Sequence, residues 1–290
     1  MRKWGINKMG QLINGKEVAA KVKEEIKNFV DNRKEKGLKL PKIASILVGE
    51  DGGSIYYMNS QEKAAVALGV GFLRVELKEE STDDEVINTI KKLNEDDSVQ
   101  GIILQLPLPK HLNEKKIIRE ISVKKDIDCL TFESQGKLYM GEPGFLPCTP
   151  NSVVTLIKSL NIDLNGKNVV VLGRSNIVGK PVAQLLLNEN ATVTICHSRT
   201  KDLKEVCKRA DILVVAIGRP KFIDESYVNE NAVVIDVGTS RFEGKITGDV
   251  DFDKVIDKCS ALTPVPGGVG ALTTTLLIKN ACEALKEDEN

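Results

Sequence analysis

Two hydrophobic periods alternate along this chain, one typical of helices and one typical of buried strands. Across residues 15–37 an apolar side chain recurs at every fourth position among charged ones, which predicts an amphipathic helix ended by Gly37. The apolar run at 43–48 predicts a buried strand. Further helices are predicted near 56–68 and 83–93, and further strands near 72–77 and 101–105. Because strands alternate with helices, this order predicts an α/β fold with a parallel sheet.

The stretch 106–151 interrupts this order and carries five prolines, which mark turns and loops. We place a domain boundary near its end. A second alternating series follows it. Its strands are predicted at 168–172, 192–196, 211–216 and 232–237, and its helices near 178–187, 203–208 and 272–285. The chain is therefore expected to contain two α/β domains, each with its own sheet.

Composition and charge exclude several classes of function. The 290 residues include 41 basic and 41 acidic side chains, so no net positive field attracts nucleic acid or an anionic membrane. No apolar run reaches the length of a membrane span, and residues 1–9 lack the continuous apolar core of a signal peptide. The six cysteines form no close pair and the two histidines lack ligand spacing, so no metal site is predicted. We expect a cytoplasmic protein that acts on a small molecule.

A glycine turn follows the predicted strand 168–172. It begins at Gly173, reaches Gly179 and leads directly into a helix. Glycine lets the backbone approach a pyrophosphate, and the first turn of a helix offers free N–H groups to it. The spacing differs from GxGxxG, however, and similar turns occur in α/β proteins that bind no nucleotide. The glycines alone leave the nucleotide site open.

The end of the next predicted strand indicates which nucleotide would bind. Sites for NAD usually place a carboxylate there, but this strand ends Cys-His-Ser-Arg-Thr at 196–200 and the first acid is Asp202. A 2′-phosphate would suit Arg174, Ser198 and Arg199, because arginine makes charge-assisted, bidentate hydrogen bonds to phosphate. The residues thus favour NADP, with two solvated surface arginines as the alternative.

Seven segments could each belong to a core or a surface when taken singly. They are VGEDGGSIYYMNSQEK at 48–63, GIILQLPLP at 101–109, KDID at 125–128, GFLPCTP at 144–150, GRSNIVGKP at 173–181, CHSRT at 196–200 and TPVPGGVG at 263–270. In this order they resemble the bifunctional methylenetetrahydrofolate dehydrogenase/cyclohydrolase family. The likeness runs from about Gln11 to the last helix, and QLPLP and TPVPGGVG are too long to match by coincidence.

The resemblance implies a folate domain at 9–150, completed by the last helix at 272–290, and a Rossmann-like NADP-binding domain at 151–271. It also implies that the substrate, a tetrahydrofolate derivative, binds in a cleft between the two domains, and that the chain forms a homodimer. The predicted cofactor site contains the glycine turn, the end of the next strand and a later loop. Its residues are Gly173, Arg174, Ser175, Ile177, Val178, Ser198, Arg199 and Thr239.

The resemblance also implies the catalytic residues. Tyr57 would stack on the folate ring system, Asp128 would accept hydrogen bonds from the pterin edge, and Gln105 would face the one-carbon unit. Without the family, Tyr57 and Gln105 would be read as packing residues. Further substrate contacts are predicted at Leu106, Pro107, Pro266, Gly267 and Gly268.

Gln61 is the departure from the family that matters most. The family pattern is Tyr-x-x-x-Lys, and the fourth residue after Tyr57 here is glutamine, which cannot titrate or relay a proton. Lys63 is not expected to take the place of the family's lysine, because a shift of two helical positions turns its side chain by about 200° from that of Gln61. Hydride transfer depends mainly on alignment of the cofactor. We therefore expect NADP-dependent oxidation of 5,10-methylenetetrahydrofolate to 5,10-methenyltetrahydrofolate, with weak or absent cyclohydrolase activity.

Two smaller departures concern backbone geometry. Cys129 follows Asp128 where the family has glycine, and Ala271 follows the PGGVG run where the family has proline. Cys129 is expected to restrict a conformation that glycine permits, and Ala271 to loosen the turn.

Three alternatives stay open at this level. The first is a full bifunctional dehydrogenase/cyclohydrolase that forms 10-formyltetrahydrofolate. The second is a folate-binding protein without turnover, which would not need a 2′-phosphate site. The third is another Rossmann oxidoreductase, which leaves the N-terminal motifs unexplained.

Overall fold

The computed structural model describes residues 10–287, so the segment 1–9 considered above lies outside the described residues. The chain divides into two compact units. One contains the chain up to Ala19 together with Thr149–Thr273, and the other contains Ala20–Cys148 together with the chain from Thr274 onward. Within the described range no helix is long and apolar enough to cross a membrane.

Helices and strands alternate through most of the chain. The helices are α1 (Gly15–Glu35), α2 (Gly52–Ala67), α3 (Asp83–Glu95), α4 (Glu114–Ile118), α5 (Phe132–Met140), α6 (Cys148–Lys158), α7 (Gly179–Asn188), α8 (Leu203–Cys207), α9 (Phe252–Val255) and α10 (Val269–Glu287). The strands are β1 (Gln11–Leu12), β2 (Lys42–Val48), β3 (Gly71–Leu77), β4 (Gly101–Leu104), β5 (Asn168–Leu172), β6 (Thr192–Cys196), β7 (Ile212–Val215), β8 (Val233–Asp236), β9 (Ser240–Phe242), β10 (Lys245–Thr247) and β11 (Ala261–Leu262).

The unit built on Ala20–Cys148 contains a parallel sheet of three strands in the order β3-β2-β4. The central strand β2 is buried from Ile43 to Val48, as its unbroken apolar sequence requires. Helix α3 packs Val86 and Ile90 into the same core as Ile46, and all three are fully buried. This sheet therefore gives rigid support to the side chains at the ends of β2 and β4.

The other unit contains a parallel sheet of six strands in the order β1-β11-β8-β7-β5-β6. The chain passes from β5 to β6 on one side and then returns to β7 on the other side of β5. In such sheets the point where the strand order reverses opens a crevice at the carboxyl ends of the strands, where ligands bind. The hairpin of β9 and β10 is antiparallel and separate from this sheet. The predicted α/β fold with parallel sheets is confirmed.

The stretch 106–151 is more regular than its prolines indicated. It contains α4, α5 and the beginning of α6. Helix α5 buries only Ser134 and Leu138, so its sequence has almost no apolar period to detect. Helix α6 includes Pro150 in its first turn, where proline is compatible with a helix because the N–H that it lacks has no helical partner there.

The start of the chain differs from the predicted range 9–150. Strand β1 pairs in parallel with β11, so residues 10–19 group with the six-stranded sheet. A strand of two residues is too short to show a period, and only its backbone hydrogen bonds decide where it lies. The sequence reasoning also did not predict β9, β10, β11 or α9.

A capping box begins α3 and offers a test of local stability. The Thr82 hydroxyl accepts a hydrogen bond from the Glu85 N–H at 3.3 Å, and the Glu85 carboxylate accepts one from the Thr82 N–H at 2.8 Å. We expect Thr82→Ala to lower the free energy of unfolding by about 1 kcal/mol, because the first turn loses its cap. Thr89→Ala in the same helix is the control and should change it by less than about 0.5 kcal/mol. Equal effects of the two variants in urea unfolding would contradict this.

Candidate active site

A polar cluster stands at the carboxyl end of the three-stranded sheet. Gln105 directly follows β4 and is buried at 6% exposure. Its Nε2 donates hydrogen bonds to the Ser45 hydroxyl at 3.0 Å and to Gln61 Oε1 at 2.7 Å. Ser45 lies on β2, fully buried, so two neighbouring strands and α2 meet at this amide. The structure thus brings Gln61 and Gln105 together.

Helix α2 carries Tyr57 and Gln61 on one face, four residues apart. Asp51 caps the helix by accepting hydrogen bonds from the Ser54 N–H at 2.8 Å and the Ser54 hydroxyl at 2.9 Å. The same hydroxyl donates to the Leu106 carbonyl at 3.3 Å, which ties the start of the helix to the loop after β4. Tyr57 is 50% exposed, so its ring face is available to a flat ligand.

Gln61 and Lys63 have different surroundings. Gln61 is half-buried and accepts the hydrogen bond from Gln105, whereas Lys63 is exposed. Glu62, which lies between them, accepts a hydrogen bond from Arg74 Nη1 to its carboxylate Oε2 at 2.8 Å. Among the side chains that the structure describes, no lysine bonds to Gln105. The pair that meets at this position therefore consists of two neutral amides.

Asp128 lies in the loop that follows the short helical turn Val123–Lys125. Its carboxylate accepts a hydrogen bond from the Cys148 N–H at 3.4 Å. Burial and, to a smaller extent, the charge of Asp126 raise the pKa of Asp128 to about 6, against the hydrogen bonds from Cys148, which lower it. The residue as a whole is half-buried, while its carboxyl group lies in the buried part.

Two residues that sequence reasoning missed hold the Asp128 loop. Buried Asp126 accepts hydrogen bonds from the N–H groups of Leu130 and Thr131, each at 2.8 Å. From α10, Asn280 Nδ2 donates to the Ile127 carbonyl at 2.8 Å and to the Leu146 carbonyl at 3.2 Å. Asn280 is more than 130 positions away in sequence, so no local pattern could have indicated it.

The two departures from family glycine and proline have clear local settings. Cys129 has a φ of 55°, in the left-handed region that favours glycine, and its side chain is fully buried. Ala271 donates its N–H to the Gly268 carbonyl at 3.1 Å, a bond that proline could not make. Ala271 thus adds one backbone hydrogen bond to the turn, and the expected loosening stays a prediction.

A cavity of about 330 Å³ opens where the order of the six-stranded sheet reverses. It is lined by residues at the carboxyl ends of β5, β6 and β7 and by the loop after β7. These residues are Leu172, Gly173, Arg174, Ser175, His197, Ser198, Leu203, Ala216, Ile217, Arg219 and Phe222. The lining contains two arginines and no acid, which suits an anionic ligand.

The glycine turn is shaped by close backbone packing. A side chain at Gly173 would strike the Ala216 carbonyl, and one at Gly179 would strike the Gly173 carbonyl. The Ser175 hydroxyl accepts hydrogen bonds from the N–H groups of Val178 and Gly179, each at 3.2 Å. The turn therefore enters α7 in one defined shape, with Arg174 exposed beside the cavity.

Half of the predicted cofactor residues line the cavity. Gly173, Arg174, Ser175 and Ser198 line it. Ile177, Val178, Arg199 and Thr239 do not line it, and their role stays a prediction. Sequence reasoning missed the whole contribution of the loop after β7, although a ligand crevice at the carboxyl ends of neighbouring parallel strands could have indicated that loop.

A pair of buried aspartates anchors the loop after β7. Asp249 is fully buried and accepts three hydrogen bonds of 2.7–2.9 Å from the consecutive N–H groups of Ile217, Gly218 and Arg219. Its own N–H donates to Asp236 at 3.0 Å. Burial raises the pKa of Asp236 to about 7, against three hydrogen bonds from backbone N–H groups.

The predicted substrate residues Pro266, Gly267 and Gly268 form a tight turn before α10. Gly267 has a φ of 111°, and a side chain at Gly268 would lie within 2.6 Å of the Pro264 carbonyl. A side chain at Gly15 would in turn strike the Gly268 carbonyl. The turn thus requires glycine, while its contact with a substrate stays a prediction, as do the contacts of Leu106 and Pro107.

Two stretches of the chain match the two domains of one known protein family. Residues 13–128 match the catalytic domain of tetrahydrofolate dehydrogenase/cyclohydrolase, and residues 147–289 match its NAD(P)-binding domain. The chain belongs to the tetrahydrofolate dehydrogenase/cyclohydrolase family. The recognition from sequence motifs and the expectation of an enzyme are thereby confirmed.

Members of this family cover nearly all of the chain. "Bifunctional protein FolD" of Clostridium botulinum (strain Alaska E43 / Type E3) is 82% identical over 282 residues, which are 97% of this chain and 100% of the relative. The protein of the same name from Clostridium perfringens (strain ATCC 13124) is 60% identical over 277 residues, which are 96% of this chain and 100% of the relative.

Two solved structures from the family share the fold. The bifunctional FolD methylenetetrahydrofolate dehydrogenase/cyclohydrolase of Campylobacter jejuni has a TM-score of 0.93 at 44% identity, covering 96% of this chain and 99% of its own. The Trypanosoma brucei N5,N10-methylenetetrahydrofolate dehydrogenase-cyclohydrolase, complexed with NADP cofactor and an inhibitor, has a TM-score of 0.93 at 34% identity and covers 98% and 99%.

Asp128 makes the stability of the folded protein depend on pH. Its pKa rises from the ordinary value of 3.8 to about 6 on folding, so the folded state binds the proton more tightly than the unfolded state. As pH falls from 7.5 to 5.0, this group should add about 1 kcal/mol to the free energy of unfolding. Asp128→Asn should lose that gain in urea unfolding, while Asp257→Asn, at an exposed position, should keep it. A wild type that loses stability relative to Asp128→Asn on acidification would contradict this.

Proposed function

We propose that this chain is a bifunctional NADP-dependent methylenetetrahydrofolate dehydrogenase and methenyltetrahydrofolate cyclohydrolase. It would oxidise 5,10-methylenetetrahydrofolate and hydrolyse the 5,10-methenyl product to 10-formyltetrahydrofolate. The observation that carries the proposal is the acid-free cavity beside Arg174 and Ser198 in a chain of this family. The names of the relatives favour both activities over our expectation of a weak cyclohydrolase.

The cofactor site fits NADP by the chemistry of its donors. Arg174 and Ser198 would donate hydrogen bonds to the 2′-phosphate, and no lining residue would repel it. The tight turn at Gly173 would allow the backbone to approach the pyrophosphate beside the N-terminus of α7. When bound, the cofactor supplies the nicotinamide ring that accepts a hydride. The Trypanosoma brucei relative, which is complexed with NADP, supports this cofactor.

The folate site would use the residues around the end of β4. Tyr57 would stack its half-exposed ring on the pterin, and Asp128, as a carboxylate, would accept hydrogen bonds from the N–H donors of the pterin edge. Gln105 would face the one-carbon unit, held by Ser45 on its buried side. Fixed groups of this kind align the methylene carbon for hydride transfer without a titrating residue.

Hydrolysis makes a further demand, because water must lose a proton as it adds to the methenyl carbon. The Gln61 amide accepts a hydrogen bond from Gln105 and can neither take nor give a proton. This observation favours a second candidate function, a dehydrogenase with little cyclohydrolase activity. In the bifunctional alternative, another group or an ordered water would have to serve as the base.

An assay of the isolated steps decides between the two functions. The absorbance of methenyltetrahydrofolate is followed with methylenetetrahydrofolate and NADP⁺, and then with methenyltetrahydrofolate alone. For the bifunctional enzyme we expect hydrolysis clearly above the rate in buffer, and less than a tenfold change in Gln61→Lys. For the second candidate, the wild type should match buffer and Gln61→Lys should gain about 10²–10⁴-fold.

The control is Lys63→Gln, which exchanges the same two residue types at an exposed position two residues away. It should leave both rates unchanged. A wild type that binds folate but forms no methenyl product with NADP⁺ would contradict both functions and would favour a folate-binding protein without turnover.

The chain is proposed to act as a homodimer, with β6 as the contact. This strand is an edge of the six-stranded sheet, and Ile195 on it is 41% exposed. An open edge with apolar side chains readily pairs with a second copy across a two-fold axis. The cytoplasmic location and the absence of nucleic-acid partners stay predictions.

Light scattering coupled to gel filtration tests the dimer. The wild type should elute with twice the mass of one chain, and Ile195→Lys should shift it to the monomer, because a buried lysine would face the partner strand. Ile246→Lys is the matched control, since Ile246 in β10 is also 41% exposed. A monomeric wild type, or the same shift in both variants, would argue against this contact.

A further inference from the structure

Arg219 faces the same cavity as Arg174 and Ser198, two of the three residues predicted to bind the 2′-phosphate. Arg174 and Ser198 approach the cavity from the ends of β5 and β6, and Arg219 approaches it from the loop after β7. The three polar side chains therefore border one space from three neighbouring strands. Neither the sequence motifs nor the family match assigns a role to Arg219.

The backbone of Arg219 is held in place without a ligand. Its N–H donates to the Asp249 carboxylate at 2.7 Å, and the two preceding N–H groups donate to the same carboxylate. Asp249 is fully buried and bonded in turn to Asp236. Because the carboxylate accepts three consecutive N–H groups, the loop has little freedom to withdraw from the cavity.

The side chain of Arg219 is oriented by an aromatic ring. Its guanidinium carbon lies 4.4 Å from the centroid of the Phe222 ring, and Phe222 packs against the core of its own unit. No carboxylate pairs with Arg219 in the part of the chain described, in contrast to Arg74, whose guanidinium contacts both Glu62 and Glu76. The charge of Arg219 is thus oriented and available to an anion.

We propose that Arg219 is a further ligand of the cofactor's 2′-phosphate, beside Arg174 and Ser198, and sets the preference for NADP over NAD. The inference rests on the proposed function, because it takes NADP as the occupant of the cavity. A phosphate with nearly two negative charges is bound well by several guanidinium donors, and the planar fork of arginine suits its oxygens. The ring of Phe222 keeps that fork at the border of the cavity.

The test compares ligands that differ only in the 2′-phosphate. Calorimetry measures binding of 2′,5′-ADP and of 5′-AMP, and initial rates give KM for NADP⁺ and for NAD⁺. We expect Arg219→Gln to weaken 2′,5′-ADP binding and raise KM for NADP⁺ by about tenfold, the order expected for one charge-assisted bond at a solvated site. Binding of 5′-AMP, KM for NAD⁺ and kcat should change less than twofold.

Two variants sharpen the result. Arg219→Lys keeps the charge but not the fork, so it should recover only part of the 2′,5′-ADP affinity. Arg209→Gln, an equal loss of charge at an exposed arginine that does not line the cavity, should have no effect. An equal loss of 2′,5′-ADP and 5′-AMP affinity would overturn the proposal and indicate stacking on the adenine instead.

The inference and the proposed function fail in different ways. A wild type that oxidises methylenetetrahydrofolate with NADP⁺, together with an Arg219→Gln variant of unchanged 2′,5′-ADP affinity, would overturn only the role of Arg219. A wild type that binds neither 2′,5′-ADP nor NADP⁺ would overturn both.

Discussion

Buried carboxylates that accept hydrogen bonds from backbone N–H groups fix the loops at which both candidate sites are built. Asp249 holds three consecutive N–H groups of the loop after β7, and Asp126 holds two in the loop that contains Asp128. A charged acceptor in a buried position costs much free energy if its partners are lost, so these loops keep one shape. Ligand-binding side chains can then extend from loops without the freedom that loops usually have.

The two candidate sites differ in the chemical type of the side chains at the ends of their sheets. The reversal of strand order around β5 opens a crevice whose lining carries positive charge and no acid, which suits a phosphorylated nucleotide. The end of β4 instead supplies neutral amides and a hydroxyl, with Asp128 as the acid of raised pKa. In the proposed reaction, hydride transfer needs alignment above all, and this arrangement would provide it without proton transfer by the Gln61–Gln105 pair.

Family membership is decided by matches along the whole chain, whereas an activity can depend on a single residue. Matches over nearly the whole chain establish the family, and they tolerate differences at many single positions. A hydrolytic step can depend on one titrating group, so a change at the single position of Gln61 can alter hydrolysis without altering the family. The relatives are named for both activities, whereas the Gln61–Gln105 pair contains no titrating group for the hydrolytic step.

The sequence by itself determined the alternation of strands and helices, the glycine turn after β5 and the lack of an acid after β6, because each is a local pattern. It also determined the family, through motifs in a fixed order. Only the tertiary structure decided that Ser45, Gln61 and Gln105 meet, that Asn280 holds the Asp128 loop, and that β1 joins the six-stranded sheet. These contacts join residues far apart in the chain, and no periodicity reports a contact made by packing and backbone pairing between distant segments.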